Sequence, residues 1–200
     1  MIYELSTLTS APARLKEVID AVNAAAAKVP AELVAAWVSE VGQINDVLVL
    51  RRYPDGGQAN EVKPGGGNWL DAVLPLLAGY KVETYRLLPG MPAPAAGAHG
   101  AIHEMRTYVY RPGMLDELIA TWTPPLLKRV EISPAPLVMY SVGGHATKFI
   151  HLWVYPSYEE RLRIRAGEVA KGTWPPPGGR NRWLSQENAL LVPLACSPMK

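Results

Sequence analysis

The chain repeats itself at a spacing of 100 residues. Residues 2–19 read IYELSTLTSAPARLKEVI, and residues 102–119 read IHEMRTYVYRPGMLDELI. Ile2/Ile102, Glu4/Glu104, Thr7/Thr107, Pro12/Pro112, Leu15/Leu115, Glu17/Glu117 and Ile19/Ile119 coincide. An internal repeat of this length restricts the fold to two copies of one supersecondary unit. Each copy opens with an alternating, strand-like segment, turns at a proline and enters an amphipathic helix.

The helix faces match as well. Leu15, Val18, Ile19 and Val22 fall at i, i+3, i+4 and i+7, and Leu115, Leu118, Ile119 and Trp122 repeat that spacing. Pro124 and Pro125 follow at once, so the second of these helices is expected to stop or kink near Trp122. Further on, DVLVLRRYP at 46–54 aligns with KFIHLWVYP at 148–156, and each reads as a central strand ending in Tyr-Pro. A preceding strand is expected at Leu33–Val38 and again at Leu137–Val142. Each copy then offers another helix and a closing strand. These are Trp69–Leu77 with Val82–Leu88 in the first copy, and Tyr158–Val169 with Leu190–Cys196 in the second.

The fold class read from this pattern is α+β. Two tandem ferredoxin-like repeats, each an antiparallel sheet with helices on one face, would form a pseudo-dimeric α/β barrel. The expected division is a first domain at 1–90, a Pro/Ala/Gly linker at 91–100 and a second domain at 101–200. Two irregular stretches, Asp55–Asn68 and Gly172–Arg182, read as long Gly- and Pro-rich loops. The first contains no GxxxxGK[ST] phosphate-binding pattern.

Composition narrows the function classes. The chain is 48% hydrophobic and 19% charged, which suits a globular protein, and its net charge of +2 is too small to suggest a nucleic-acid partner. Residues 1–100 carry −2 and residues 101–200 carry +4, a mild asymmetry that favours an anionic ligand in the second half. The single cysteine, Cys196, excludes an internal disulfide and is read as a small residue of the last strand. No apolar stretch approaches the ~20 residues needed to span a bilayer. No membrane partner is therefore expected, and a cytoplasmic location is. Four histidines without HxxxH or HExxH spacing argue against a metal site, and no cofactor is expected. His99 and His145 sit beside glycines in expected loops.

The openings IYELSTLT and IHEMRTYVYRPGMLDEL, the segment FIHLWVYPSYEERLRIRA and the ending SQENALLVPLACSPMK resemble NIPSNAP domains. The likeness covers nearly all of the second half. The first half is a divergent copy with Val49-Leu50-Arg51 in place of His151-Leu152-Trp153. The resemblance implies the dimeric α/β-barrel fold and little about chemistry. That wider superfamily spans cofactor-independent oxygenases, haem enzymes and binding proteins.

Alternation divides the 148–156 strand into two faces. Ile150, Leu152 and Val154 are aliphatic and are expected against the helices. Phe149, His151, Trp153 and Tyr155 would then point the other way, where an aromatic wall with polar handles suits a small-molecule pocket. In the opening strand Glu104 and Arg106 share one face and His103 takes the other. If that face is also His151's, Arg106 could hold an acid or carbonyl compound, with His151 and Tyr155 acting on it and Trp153 lining the site. Alternatively, Glu104 and Arg106 pair with each other and His151 is a core histidine. In the helix YEERLRIRAGEV, Leu162, Ala166 and Val169 are the expected buried stripe. Arg161 and Arg165 flank it, either reaching a ligand or forming a solvated face, while Glu159 and Arg163 pair outside.

Two functions compete on these residues. One is the binding or transformation of a small, anionic or carbonyl-bearing molecule in the second half. The other is a non-catalytic protein-interaction module that uses the Gly- and Pro-rich loops. Whether the chain is an enzyme, and whether it is a monomer or an oligomer, are left open by the sequence.

Overall fold

Strand alternation and helical periodicity place the elements close to where the repeat puts them. The structure is a computed structural model and describes residues 1–25, 31–54, 69–143, 146–176 and 182–200. The first copy forms β1 (Ile2–Ser10), α1 (Leu15–Ala25), β2 (Glu32–Val41), β3 (Asp46–Tyr53) and β4 (Leu77–Leu87). The second forms β5 (Ile102–Tyr110), α2 (Leu115–Arg129), β6 (Leu137–Ser141), β7 (Thr147–Tyr155), α3 (Tyr158–Ala170) and β8 (Trp183–Pro193). The fold class is α+β, two tandem ferredoxin-like repeats built on antiparallel strands. No helix among the described residues is long and apolar enough to cross a membrane.

The chain divides into two compact units, and the division is not one cut in the 91–100 segment. The first unit comprises Met1–Arg86 with Ala95–Ala98 and Leu191–Lys200, and the second comprises Leu87–Pro94 with His99–Leu190. The C-terminal segment is tied into the first unit by named bonds. Leu194 N donates to Ala36 O at 2.8 Å, Ala36 N donates to Ser197 Oγ at 3.0 Å, and Cys196 N donates to Asn23 Oδ1 at 2.9 Å.

In the first unit β1 lies between β3 and β4, and β2 pairs with the other edge of β3, all antiparallel. Val18 and Val22 of α1 are fully buried against Leu8, Val47, Val49, Trp69, Leu70 and Val73. The helix expected over Trp69–Leu77 is instead a series of turns closed by a 3₁₀ turn, Leu74–Leu76. Pro75 removes a backbone donor there. Trp69, Leu70 and Val73 are already seated in the core, so no longer helix is needed to bury them.

In the second unit β7 is central, with β5 and β6 antiparallel on either side. The helix α2 does not stop at Trp122. It runs through Pro124 and Pro125 to Arg129, because the stripe Leu118, Trp122, Leu126, Arg129 remains buried along its whole length. Burying each large apolar side chain contributes ~1.5–3 kcal/mol. That packing offsets interior prolines at ~3 kcal/mol or more each only because several such residues act together. The last strand also starts earlier than expected. Residues 183–189 are largely exposed and polar in the middle, so hydropathy registers only the apolar C-terminal part around the buried Leu191. Cys196 lies beyond β8 in a turn, partly buried, rather than in the strand. The loop expected at 55–68, residues 177–181 of the second expected loop, and His145 lie outside the described residues.

Candidate functional site

Register settles the open question about faces. Arg106 pairs directly with His151, Glu104 with Trp153, Tyr108 with Phe149 and Ile102 with Tyr155. Directly opposed residues share a face, so Glu104, Arg106 and His151 do lie together. The face is the opposite of the one expected. Phe149, Trp153 and Tyr155 pack with Leu118, Trp122 and Leu126 of α2, and the aromatic side of β7 is therefore the helix-covered side. Ile150, Leu152 and Val154 occupy the other side. Both sides are buried, at 0–2% exposure for all six of these β7 residues, so an aliphatic face carried no preference for the helices.

The helix α3 is turned as well. Its expected buried stripe is exposed, with Leu162 at 50% and Val169 at 55%, while Arg161 and Glu168 are buried. The reason lies in β5. Glu104 is fully buried, and a carboxylate removed from water needs charged partners. Arg161 supplies them, with Nε donating to Oε2 at 3.0 Å and Nη2 donating to Oε1 at 2.7 Å. Ser157 caps the helix by accepting from Glu160 N at 3.2 Å, which sets where α3 begins.

Arg106 completes the pair expected within β5. Its Nε and Nη2 donate to Glu104 Oε1 at 2.9 and 2.7 Å, and its Nη1 donates to the Tyr108 hydroxyl at 3.4 Å. Arg165 stands 4.0 Å from Glu104 Oε2. One carboxylate is thus surrounded by three guanidinium groups. Burial pushes the Glu104 carboxyl up, but hydrogen bonds from Arg161 and the charge and hydrogen bonds of Arg106 outweigh it, and it titrates below the usual carboxylate range. The cluster carries a net charge of +2.

His151 sits beside this cluster with no exposed surface. Trp153 Nε1 donates to its Nδ1 at 2.5 Å, and its Nε2 has no partner among the described residues. The rings of Tyr108, Phe149, Trp122 and Trp153 enclose it at centroid distances of 4.9, 5.2, 5.5 and 5.8 Å. Burial, and after it the charge of Arg106, push the His151 pKa down to about 3, with Glu104 working the other way. The imidazole is neutral at ordinary pH, with Nδ1 as acceptor and Nε2–H as donor. It can donate a hydrogen bond there, but it is not a free base.

Tyr155 is buried, and burial together with Glu104 raises its phenol, keeping it protonated. Its backbone is held close to Gly100. A Cβ built at Gly100 would lie 2.7 Å from Tyr155 O, and the φ of +142° also favours glycine. His103 pairs with Val154 on the opposite face, away from the cluster.

The corresponding position in the first unit has different chemistry. Glu4 lies opposite Arg51 in the β1–β3 register, and the Tyr53 hydroxyl donates to Glu4 Oε1 at 3.5 Å. Ser6 and Val49 stand where the second unit has Arg106 and His151. Arg51 sits 4.6 Å from the Trp69 ring centroid. Burial pushes the Glu4 carboxyl up to about 7, with Arg51 and Tyr53 opposing. Sequence reading overlooked Glu4 and Arg51 because this half lacks the His-Leu-Trp segment. It overlooked Arg129 because the helix was expected to end before it, although the i, i+4, i+8, i+11 stripe from Leu118 reaches Arg129 through the prolines.

Comparison with known proteins agrees with this architecture. The NIPSNAP family model matches residues 3–63 and 103–198. The NipSnap homologue of Dictyostelium discoideum is 28% identical over 144 residues, covering 69% of this chain and 63% of that protein. NipSnap of Drosophila melanogaster is 25% identical over 170 residues, covering 82% of this chain and 60% of that protein. The chain therefore spans somewhat under two thirds of the length of these relatives. Among solved structures, a monooxygenase-like protein of Lactobacillus acidophilus superposes with a TM-score of 0.67 at 13% identity, covering 96% of this chain and 93% of its own. At that identity the likeness is one of fold.

Proposed function

The chain belongs to the NIPSNAP family, and within its second unit we propose a binding site for a small organic anion, a carboxylate or an enolisable carbonyl compound. The observation that carries this reading is the charge balance around Glu104. A single buried carboxylate needs one guanidinium, or a bidentate pair, to be compensated, and here three converge on it. The surplus is two positive charges at partly buried side chains, 15% exposed at Arg106 and 31% at Arg165. Such a surplus is costly without an anion and suits one of matching charge.

In this reading Arg106 and Arg165 contact the ligand, Arg161 anchors Glu104, and Glu104 fixes the guanidinium groups in place. Trp153 contributes to the aromatic wall. His151 offers its Nε2–H and Tyr155 its phenol O–H as neutral donors to a carbonyl or enolate oxygen. A general-base role for His151 is disfavoured by its protonation chemistry, so any catalysis would act by polarising a carbonyl.

The test is thermal shift and calorimetric titration of the full chain with acetate, pyruvate and acetoacetate, beside Arg106→Met and Arg165→Met. Binding in the wild type that weakens at least tenfold in either variant, and weakens with rising salt, is expected. Absence of binding at millimolar concentrations, or wild-type affinity in both variants, would sink the proposal.

A further inference from the structure

A second buried arginine in this unit has a different environment and no acceptor. Arg129, in the last turn of α2, is 4% exposed, and its Nε and Nη1 have no hydrogen-bond partner among the described residues. Its guanidinium lies 5.2 Å from the Trp153 ring centroid and 5.9 Å from that of Trp174. Cation–π contacts engage the positive charge but leave N–H groups without acceptors. Burying donors without acceptors is costly, so the pair of N–H groups calls for one.

The nearby polar groups do not fill the gap. Ser133 follows Arg129 by four residues, its backbone N donates to Arg129 O at 3.1 Å, and its fully buried hydroxyl faces the Tyr155 phenol and leaves the guanidinium without an acceptor. Glu168 is the acidic group facing Arg129, but its oxygens are engaged. Lys171 Nζ donates to Oε1 at 3.0 Å and Thr173 Oγ1 donates to Oε2 at 2.8 Å. The Tyr155 phenol also faces Arg129, and Tyr155 is the group that senses both this arginine and the Glu104 cluster. With Glu168 balanced by Lys171, Arg129 leaves a local charge of +1.

We infer that Arg129 and Ser133, walled by Trp153 and Trp174, form a monocarboxylate site separate from the Glu104 cluster. A carboxylate matches the planar guanidinium edge, satisfies its orphaned N–H groups and can also accept from the neighbouring serine hydroxyl. A phosphate dianion would exceed the single local charge and meet Glu168. The site shares Trp153 with the cluster, since the indole N–H engages His151 while the indole ring lies by Arg129.

The experiment is a titration of the full chain with benzoate, read by tryptophan fluorescence and calorimetry, with inorganic phosphate as the competing anion. Arg129→Met keeps the aliphatic stem against the tryptophans and removes the charge. Arg129→Lys keeps the charge and removes the planar fork. Benzoate affinity should fall at least tenfold in Arg129→Met and several-fold in Ser133→Ala, stay within twofold of wild type in Arg163→Met, an exposed arginine outside both sites, and resist phosphate. If Arg129→Met does not fold, Arg129→Lys and Ser133→Ala carry the test, and unchanged affinity in both overturns the site. Wild type that ignores benzoate, or that loses it through Arg106→Met and not through Arg129→Met, also overturns it. The latter result would leave the Glu104 cluster as the anion site.

Discussion

Trp153 donates its indole N–H to Nδ1 of His151 at 2.5 Å, and this bond assigns the imidazole proton to the other nitrogen. With the pKa pushed down to about 3, the folded value lies below that of the unfolded chain. The neutral form therefore stabilises the fold above pH ~6.5, and that contribution is lost as pH falls toward 3. Proton–nitrogen correlation spectra should show His151 as the Nε2–H tautomer, with no titration between pH 5 and 8. A midpoint inside that window would contradict the geometry. Trp153→Phe should free Nδ1 and mix the tautomers.

Glu104 holds three arginines together, so its removal should release repulsion among them. Glu104→Gln is expected to lower stability by ~3–5 kcal/mol, the range for an uncompensated buried charge group. Sulfate at tens of millimolar should recover more stability in this variant than in the wild type. Denaturant titration with and without sulfate gives the comparison, and an equal salt response in both proteins would argue against the cluster's electrostatics.

Glu4 occupies the equivalent place in the first repeat and titrates in the opposite direction. Its folded pKa, about 7, lies above the ordinary carboxylate value of 4.5. The protonated carboxyl is the favoured native form, and its contribution is full below pH ~4.5 and lost as pH rises through 7. Wild type should lose on the order of 2 kcal/mol relative to Glu4→Gln across that window. Parallel stability curves for the two proteins between pH 4.5 and 8 would exclude this assignment.

Ala13 and Gly113 sit in matching turns before α1 and α2, with φ of +63° and +81°. Only the second is a residue that adopts this region without strain. Ala13→Gly should therefore stabilise the protein by up to ~1 kcal/mol, despite the greater freedom it gives the unfolded chain. A lower melting temperature in the variant would show that the turn relaxes around alanine.

The repeat, the strands β1, β2, β3, β5, β6 and β7, and the inward face of α1 were legible because each depends on local periodicity. Orientation was not. On β7, Ile150 and Leu152 are as buried as Phe149 and Trp153, so no hydropathy contrast marks which side the helices cover. For α3 the apolar stripe misled, because the partner of Arg161 is Glu104, 57 residues away. The grouping of Glu104, Arg106 and His151 was conditional on a register that only strand pairing could supply. Arg129 was hidden behind two prolines whose local effect was overridden by burial of Leu126.

The placement of Leu191–Lys200 in the first unit has a consequence for the order in which the protein is made. Residues 1–86 leave the ribosome long before the segment that bonds to Ala36 and Asn23. The first unit must then wait, with its edge unfinished, while the whole second repeat is synthesised. Its completion comes only after the second repeat has been made, and a nascent chain paused near residue 100 would be open to proteases along a sequence that is sealed in the finished protein.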